Sequence, residues 1–189
     1  MSLTQRIFAA TAQLTISNVL VRLLSLVTMP VLTHLLSPSA YGMAAMAGTI
    51  MALISVFGLA GMDMSYVRAY HSNSILSGQA VELFAWRYAF GAGILSCVLL
   101  IASWHVIADI FSLPEYLGGL LGIGIVLSLA NTMAQARARL NNRYRAMSIS
   151  IVASGVGVAI VSLGVAHWWR QDELPLILSM IVGYMIPLF

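Results

Sequence analysis

Long apolar stretches alternate with short polar segments along this chain of 189 residues. Most of the stretches contain no charged residue, and four of them exceed the roughly 20 residues that cross a bilayer as a helix. The pattern predicts an all-α fold, a polytopic transmembrane helix bundle in a single transmembrane domain of residues 1–189. Its six predicted spans are residues 7–36, 40–62, 88–108, 116–136, 146–169 and 174–189.

The sixth predicted span is short. Residues 174–189, at about 1.5 Å each, reach about 24 Å, whereas the hydrocarbon core of a bilayer is about 30 Å thick. We therefore expect the sequence to stop inside this span. The chain would then be a fragment, a truncated reading frame or a half protein, completed by a second lobe or by a homo-oligomer.

Composition agrees with a membrane protein, and the charges orient it. Hydrophobic residues make up 60% of the chain and charged residues 8%, which is more apolar than a soluble domain of this size. Arginines concentrate in the loops of one side, and the positive-inside rule then places the N-terminus in the cytoplasm. These are Arg6, Arg68, Arg87, Arg137, Arg139, Arg143 and Arg145, with Arg170 on the other side.

Four of these arginines lie together in QARARLNNRYRAM, residues 135–147. Such a cluster could indicate nucleic-acid binding, but it lies between two predicted spans, and we favour orientation of the protein over nucleic acid. Arginines at the inner surface also attract anionic membrane lipid, by about 1 kcal/mol each. A pyrophosphate-linked lipid has a headgroup of this kind.

The first span contains Arg22 at a depth where charge is unfavourable. A charged side chain at the bilayer centre costs about 2.5 to 3.5 kcal/mol on insertion scales, so Arg22 must face protein or water. Other polar residues recur around it every three or four positions and therefore share its helical face. This polar stripe consists of Thr11, Thr15, Asn18, Arg22 and Ser25. It predicts the lining of an aqueous cavity, which we favour, or a hydrogen-bonded contact with a neighbouring helix.

Pro30 lies farther along the same span. A proline removes one backbone hydrogen bond from a helix interior, so we expect it to kink or end the regular helix. Such a kink would serve a moving gate or have no function at all.

The segment GLAGMDMSYVRAY, residues 58–70, closes the second span. It presents Asp63 and Arg68 at the predicted cytoplasmic face, where Asp63 could titrate, pair with an arginine or couple transport to an ion. For Asp63 we favour an ordinary helix end near the membrane interface. Arg68 would then obey the positive-inside rule and anchor to lipid phosphate.

No residue pattern indicates an enzyme, a metal site or a cofactor. The four histidines show no helical pairing and no nearby acid, and the glycines form no phosphate-binding loop. No nucleophile has an adjacent base, and Cys97 has no cysteine partner. We expect no catalytic residue, no bound metal and no cofactor.

Two stretches resemble the N-terminal part of the polysaccharide (O-antigen) flippases, the Wzx-type branch of the multidrug/oligosaccharidyl-lipid/polysaccharide exporter superfamily. In LLSPSAYG, Pro38 and the pair Tyr41 and Gly42 open the second span, and in GLAGMDMSYVRAY a glycine motif is followed by an arginine. The resemblance covers residues 4–145 best and the remainder only as hydropathy.

The resemblance implies two six-helix lobes around a central cavity in the bacterial inner membrane, of which this chain would be one lobe. The cavity would open alternately to cytoplasm and periplasm while an undecaprenyl-pyrophosphate-linked oligosaccharide crosses for polysaccharide or lipopolysaccharide biosynthesis. Arg22 matches the cavity arginine of the first helix, and Arg68 matches the arginine that closes the second-span motif. Asp63 has no such match.

Two other functions stay open at this point. A cation-coupled multidrug exporter of the same superfamily would prefer a carboxylate to an arginine in its cavity, which would give Asp63 the central role. Six packed helices could also form a non-transporting scaffold for polysaccharide assembly or an inert remnant.

Overall fold

The computed structural model describes residues 3–71, 78–168 and 174–186. These ranges are almost entirely helical and contain no strand, so the predicted all-α class is confirmed. The helices are α1 (Leu3–Leu35), α2 (Pro38–Leu59), α3 (Met62–His71), α4 (Gly78–Phe111), α5 (Leu117–Leu140), α6 (Tyr144–Trp168) and α7 (Leu174–Met185).

Five helical segments of the described ranges are long and apolar enough to cross a membrane. They contain α1, α2 continued by α3, α4, α5 and α6, while α7 is a shorter apolar helix. Each of the six predicted spans therefore corresponds to a helix, as expected of a multi-pass membrane protein. Residues 169 and 187–189 of the last two predicted spans lie outside the described residues, and so does Arg170.

Helix α4 extends beyond its predicted span at the N-terminal end. It begins at Gly78, whereas the absence of charge predicts a start at residue 88. The added turns carry Glu82 and Arg87, but Val81 and Ala85 continue the buried face at a spacing of four residues. An apolar face that packs against the rest of the protein stabilises a helix even where its other faces carry charged residues.

Helix α1 continues through Pro30 to Leu35, so the proline does not end the helix. Because proline has no N–H, the carbonyl of Leu26 has no helical donor four residues later. The hydroxyl of Thr33 donates to the carbonyl of Pro30 at 2.9 Å, which satisfies one acceptor at this end of the helix.

The break between α5 and α6 has the geometry of a helix C-cap. Asn142 has φ 53°, and the next N–H, that of Arg143, donates to the carbonyl of Ala138 at 2.9 Å. This is the closure of a Schellman motif, and asparagine is one of the few residues that tolerate the left-handed region. A three-residue turn therefore suffices to end one span and begin the next.

The chain forms two compact units. The first comprises residues 1–41 and 137–189, and in it α6 packs against both α1 and α7. Glycines let these helices approach closely: Val21 of α1 packs on Gly155, and Val158 of α6 packs on Gly183 of α7. Van der Waals contact between small residues is the main force that joins helices in lipid.

The second unit comprises residues 42–136. Within its helices α5 is the most buried, with 61% of its span buried against 22% or less in every other described span. Leu129 of α5 lies beside Gly58 of α2, and Val126 lies beside Gly93 of α4. Small residues thus bring α2 and α4 close to α5.

Small residues recur in α2 at positions 40, 44, 48 and 52, but they do not form one buried face. Ala52 is exposed, and Ala47 and Met51 are buried instead. With 3.6 residues per turn, a spacing of four drifts around the helix. In α4, Trp104 is only 4% exposed, because it packs against Gly118.

Candidate functional site

The surface of α1 divides into three faces. One face packs within the first unit and is buried or half-buried, with Ser17, Val21 and Leu24 at intervals of four and three residues. One position farther along the chain, about 100° around the helix, lies the polar stripe of Thr11, Thr15, Asn18, Arg22 and Ser25, and all five residues are exposed. A third face, one or two positions beyond the members of the stripe, is exposed and apolar and contains Ile16, Leu20, Leu23 and Val27.

Arg22 lies halfway along its span. The apolar window of α1 runs from Thr11 to Leu35, which places Arg22 about 16 Å from one end and about 20 Å from the other at 1.5 Å per residue. Its neighbour Val21 contacts Gly155, which is itself the middle residue of the span Tyr144–Ala166. The backbone of Arg22 therefore lies near the middle of two packed helices that are each long enough to cross a membrane.

The other members of the stripe are partly satisfied by their own helix. The Asn18 amide donates to the carbonyl of Leu14 at 2.9 Å, and the Ser25 hydroxyl donates to the carbonyl of Val21 at 3.0 Å. In the part of the chain that the structure describes, Arg22 has no hydrogen bond or ion pair. The stripe thus presents an unpaired cation flanked by oxygen atoms that still accept hydrogen bonds.

Asp63 and Arg68 both lie on α3, in the second unit. Asp63 is half-buried in the first turn of α3, where its negative charge faces the unpaired N–H groups of the helix start. Arg68 is exposed. Neither residue forms an ion pair with another described residue, so the arginine pairing considered for Asp63 is not found there.

The model of the polysaccharide biosynthesis protein family matches residues 7–189. The chain belongs to this family. No curated protein and no solved structure matches it significantly.

Membership in the polysaccharide biosynthesis protein family confirms the predicted role in polysaccharide biosynthesis, at that level of detail. It also agrees with a multi-pass membrane protein, since five described segments can span a bilayer. The O-antigen branch, the flipping reaction and the residues that carry it remain predictions.

A second polar row in this family member was missed by the sequence analysis. Helix α5 carries Ser128, Asn131, Thr132 and Gln135 at helical spacing, and Ser128 and Asn131 are buried. The Ser128 hydroxyl lies 2.6 Å from that of Ser55 in α2, and the Gln135 amide donates to Asn131 at 3.2 Å. The signal was present in SLANTMAQ, residues 128–135, because four polar residues in eight are unusual inside a span.

The arginines of the turn between α5 and α6 are exposed. Arg139, Arg143 and Arg145 surround Asn141 and Asn142, all with solvent-accessible side chains. This arrangement suits the predicted contact with anionic headgroups, because each guanidinium is free to reach the membrane surface.

The expectation that no acid lies near a histidine is wrong for one of the four. His105 Nδ1 lies 3.5 Å from a carboxylate oxygen of Glu115, with both side chains about 80% exposed. His105 lies near the end of α4, and Glu115 lies in the segment before α5. The fold brings them together, although they are ten residues apart in the sequence. Among the described residues no group of three or more metal-ligating side chains comes together.

Proposed function

We propose that this protein acts in the flipping of a lipid-linked oligosaccharide, the pyrophosphate-linked repeat unit of a polysaccharide, across the bacterial inner membrane. One observation above all supports the proposal: Arg22 is an exposed cation with no ion pair among the described residues, at the middle of a helix long and apolar enough to cross a membrane. Family membership supplies the polysaccharide context. The chain would act as one lobe of a two-lobed transporter.

The energetics of α1 support a water-filled cavity beside the polar stripe. An arginine in contact with lipid at this depth would cost about 2.5 to 3.5 kcal/mol or more. The same helix has an apolar exposed face around Leu20 and Leu23, which can contact lipid at no such cost. The polar stripe is then left to face water, the substrate or the opposite lobe.

The chemistry of Arg22 suits a phosphate. A guanidinium stays protonated at any physiological pH and can donate two parallel hydrogen bonds to phosphate oxygens. Because the walls of a cavity between helices have a low dielectric constant, this attraction is stronger there than in bulk water. The side-chain oxygen atoms of Asn18 and Ser25 keep free lone pairs. They can accept hydrogen bonds from the hydroxyl groups of the attached sugar.

The remaining charges support a direction for substrate entry. Arg139, Arg143 and Arg145 are exposed in one turn, and the positive-inside rule assigns that turn and the N-terminus to the cytoplasm. An anionic headgroup would first be attracted there and then reach Arg22. Flipping makes and breaks no covalent bond, so the proposal requires no catalytic residue and no cofactor, and its partners are the lipid-linked oligosaccharide and membrane lipid.

The setting of Asp63 supports a structural role over ion coupling. A carboxylate in the first turn of a helix is stabilised by the helix N-terminus by about 0.3 to 1 kcal/mol, which accounts for its position in α3. A cation-coupled drug exporter would instead show efflux that depends on Asp63 and tolerates the loss of Arg22.

A flipping assay with the full-length gene product tests the proposal. Arg22→Gln should lower the flipping rate roughly ten- to a hundredfold, since a hydrogen bond to a charged group contributes about 1.5 to 3 kcal/mol. Arg22→Lys, which keeps the charge but loses the paired geometry, should retain part of the activity. The control Leu23→Ala, on the apolar exposed face, should flip at the normal rate. An unchanged rate in Arg22→Gln would remove Arg22 from the mechanism.

A further inference from the structure

A groove of about 650 Å³ runs along α4 within the second unit. Residues of α4 line it at helical intervals from Tyr88 to Ile107, and Phe57 and Gly58 of α2 line one part. The distance from Tyr88 to Ile107 along the helix is about 28 Å, close to the roughly 30 Å thickness of the hydrocarbon core. The groove, called the α4 groove below, therefore extends through nearly the whole apolar depth of a bilayer.

The lining of the α4 groove is mostly apolar. Small residues such as Gly91 and Ala92 alternate with larger ones such as Leu95 and Leu99, so the helix surface is recessed between side chains. The hydroxyl of Ser103 donates to the carbonyl of Leu99 at 2.8 Å, and the other hydroxyl groups in the lining are those of Tyr88 and Ser96. The groove therefore favours an occupant that is mainly hydrocarbon.

The shape and polarity of the α4 groove suit a lipid chain. The groove is open along one side, follows α4 over about 28 Å and is lined mostly by apolar side chains. An extended acyl chain can lie along such a groove and contact its lining over the whole length.

A cation marks one end of the groove. Arg87 directly precedes Tyr88 and lies four residues before Gly91, which puts it on the same side of α4 as the groove. It is exposed and has no ion pair with another described residue. We propose that the α4 groove binds an anionic phospholipid, with one acyl chain along α4 and the phosphate on Arg87. This bound lipid is separate from the transported substrate.

Photolabelling of the full-length protein in phosphatidylcholine nanodiscs tests this inference. Two probes carry the same diazirine in the middle of one acyl chain, one with a phosphatidylglycerol headgroup and one with phosphatidylcholine. We expect labelling of residues 88–107 in α4, about fivefold stronger with phosphatidylglycerol, as one arginine at the membrane surface provides. Arg87→Gln should remove this headgroup preference, and the control Arg145→Gln should keep it.

A second pair of variants tests the groove itself. A Cβ at Gly91 would have no neighbour within 4 Å, so Gly91→Leu should fill the groove without a clash and reduce labelling by both probes at least tenfold. Gly119→Leu is the matched control, since Gly119 is equally open and does not line the groove. It should leave labelling unchanged.

Three results would overturn the inference. If Gly91→Leu does not reduce the labelling of α4, the lipid does not enter the groove. Displacement of the phosphatidylglycerol label by a lipid-linked oligosaccharide would assign the groove to the transported substrate. Disulfide dimers of Gly91→Cys, in a Cys97→Ala background, would assign it to a second copy of this chain. None of these outcomes depends on a flipping rate. The flipping assay therefore tests the proposed function independently of this inference.

Discussion

The indole ring of Trp104 packs onto the backbone of Gly118, so closely that a Cβ at residue 118 would lie 2.6 Å from Cγ of the ring. Trp104 is 4% exposed, and its indole N–H has no hydrogen-bond partner among the described residues. The contact joins the later part of α4 to the first turn of α5. The position of this large ring therefore depends on the absence of a side chain at residue 118.

Gly118→Ala should destabilise the protein by about 1 to 3 kcal/mol, the usual effect of forcing an extra carbon into a packed interior. The ring of Trp104 would have to move, and the helix ends would separate. Thermal unfolding in detergent measures the change, and tryptophan fluorescence reports on the ring. Gly119→Ala is the control, because a Cβ there meets no atom within 4 Å. Equal stability of the two variants would contradict the prediction.

The hydrogen bond between Ser55 and Ser128, 2.6 Å long, should contribute modestly to the packing of α2 on α5. Side-chain hydrogen bonds between membrane helices average about 0.6 kcal/mol in double-mutant cycles. Ser55→Ala, Ser128→Ala and the double variant should therefore show a coupling energy of about that size in SDS-induced unfolding. A coupling of zero would mean that the two hydroxyls act independently.

The junction of α2 and α3 contains two consecutive residues with positive φ, Ala60 at 46° and Gly61 at 76°. The left-handed region costs an L-residue about 1 to 2 kcal/mol, so Ala60→Gly should stabilise the protein by about 0.5 to 1 kcal/mol after the entropy cost of glycine. Gly61→Ala should destabilise it by about 1 kcal/mol, although the site is open.

The control for the junction is Gly42→Ala. Gly42 is equally open but helical, so alanine there should be neutral or stabilising. Urea or SDS titration of the three variants separates the backbone effect from any steric effect. Similar losses in Gly61→Ala and Gly42→Ala would show that φ at residue 61 is not the cause.

The faces of α1 should differ in their reactivity toward water-soluble thiol reagents. In a Cys97→Ala background, cysteine at Asn18 or Arg22 should react with a charged maleimide, because the thiolate that reacts forms only in water. Cysteine at Leu20 or Leu23, on the apolar exposed face, should react at least tenfold more slowly. Mass spectrometry of labelled membranes gives both rates. Equal rates at Arg22 and Leu23 would contradict a water-filled cavity beside the polar stripe.

The positions of the long apolar helices were predictable from the sequence, because a helix able to cross a bilayer needs a long stretch without charged residues. A helix that crosses a bilayer must be apolar over about 20 residues, and each such stretch became a helix. The polar stripe of α1 was equally predictable, since a regular helix fixes which residues share a face. Helix α3 and the early start of α4 were missed, because both contain charged residues and differ too little in hydropathy from the polar segments beside them.

The packing partners of each helix were less accessible from sequence. A small residue permits the close approach of another helix but does not indicate which residue will approach. Gly118 contacts Trp104, and Gly122 contacts Cys97. Nothing in the spacing of the two glycines predicts these contacts. The polar row of α5 was overlooked for another reason. Its residues carry no formal charge, and uncharged polar side chains interrupt an apolar stretch too weakly to stand out.

Because each residue turns α1 by about 100°, a change in chain length moves side chains from one face of the helix to another. Deleting one residue between Val21 and Pro30 leaves Arg22 in place but turns everything after it by about 100°, so that Leu32 and Leu36 would leave the small core that they form with Ala166. Deleting one residue before Ser17 would leave the later contacts unchanged and turn only the N-terminal end of α1. The segment from Ser17 to Leu36 should therefore keep its length among relatives, while its N-terminal extension should be free to vary.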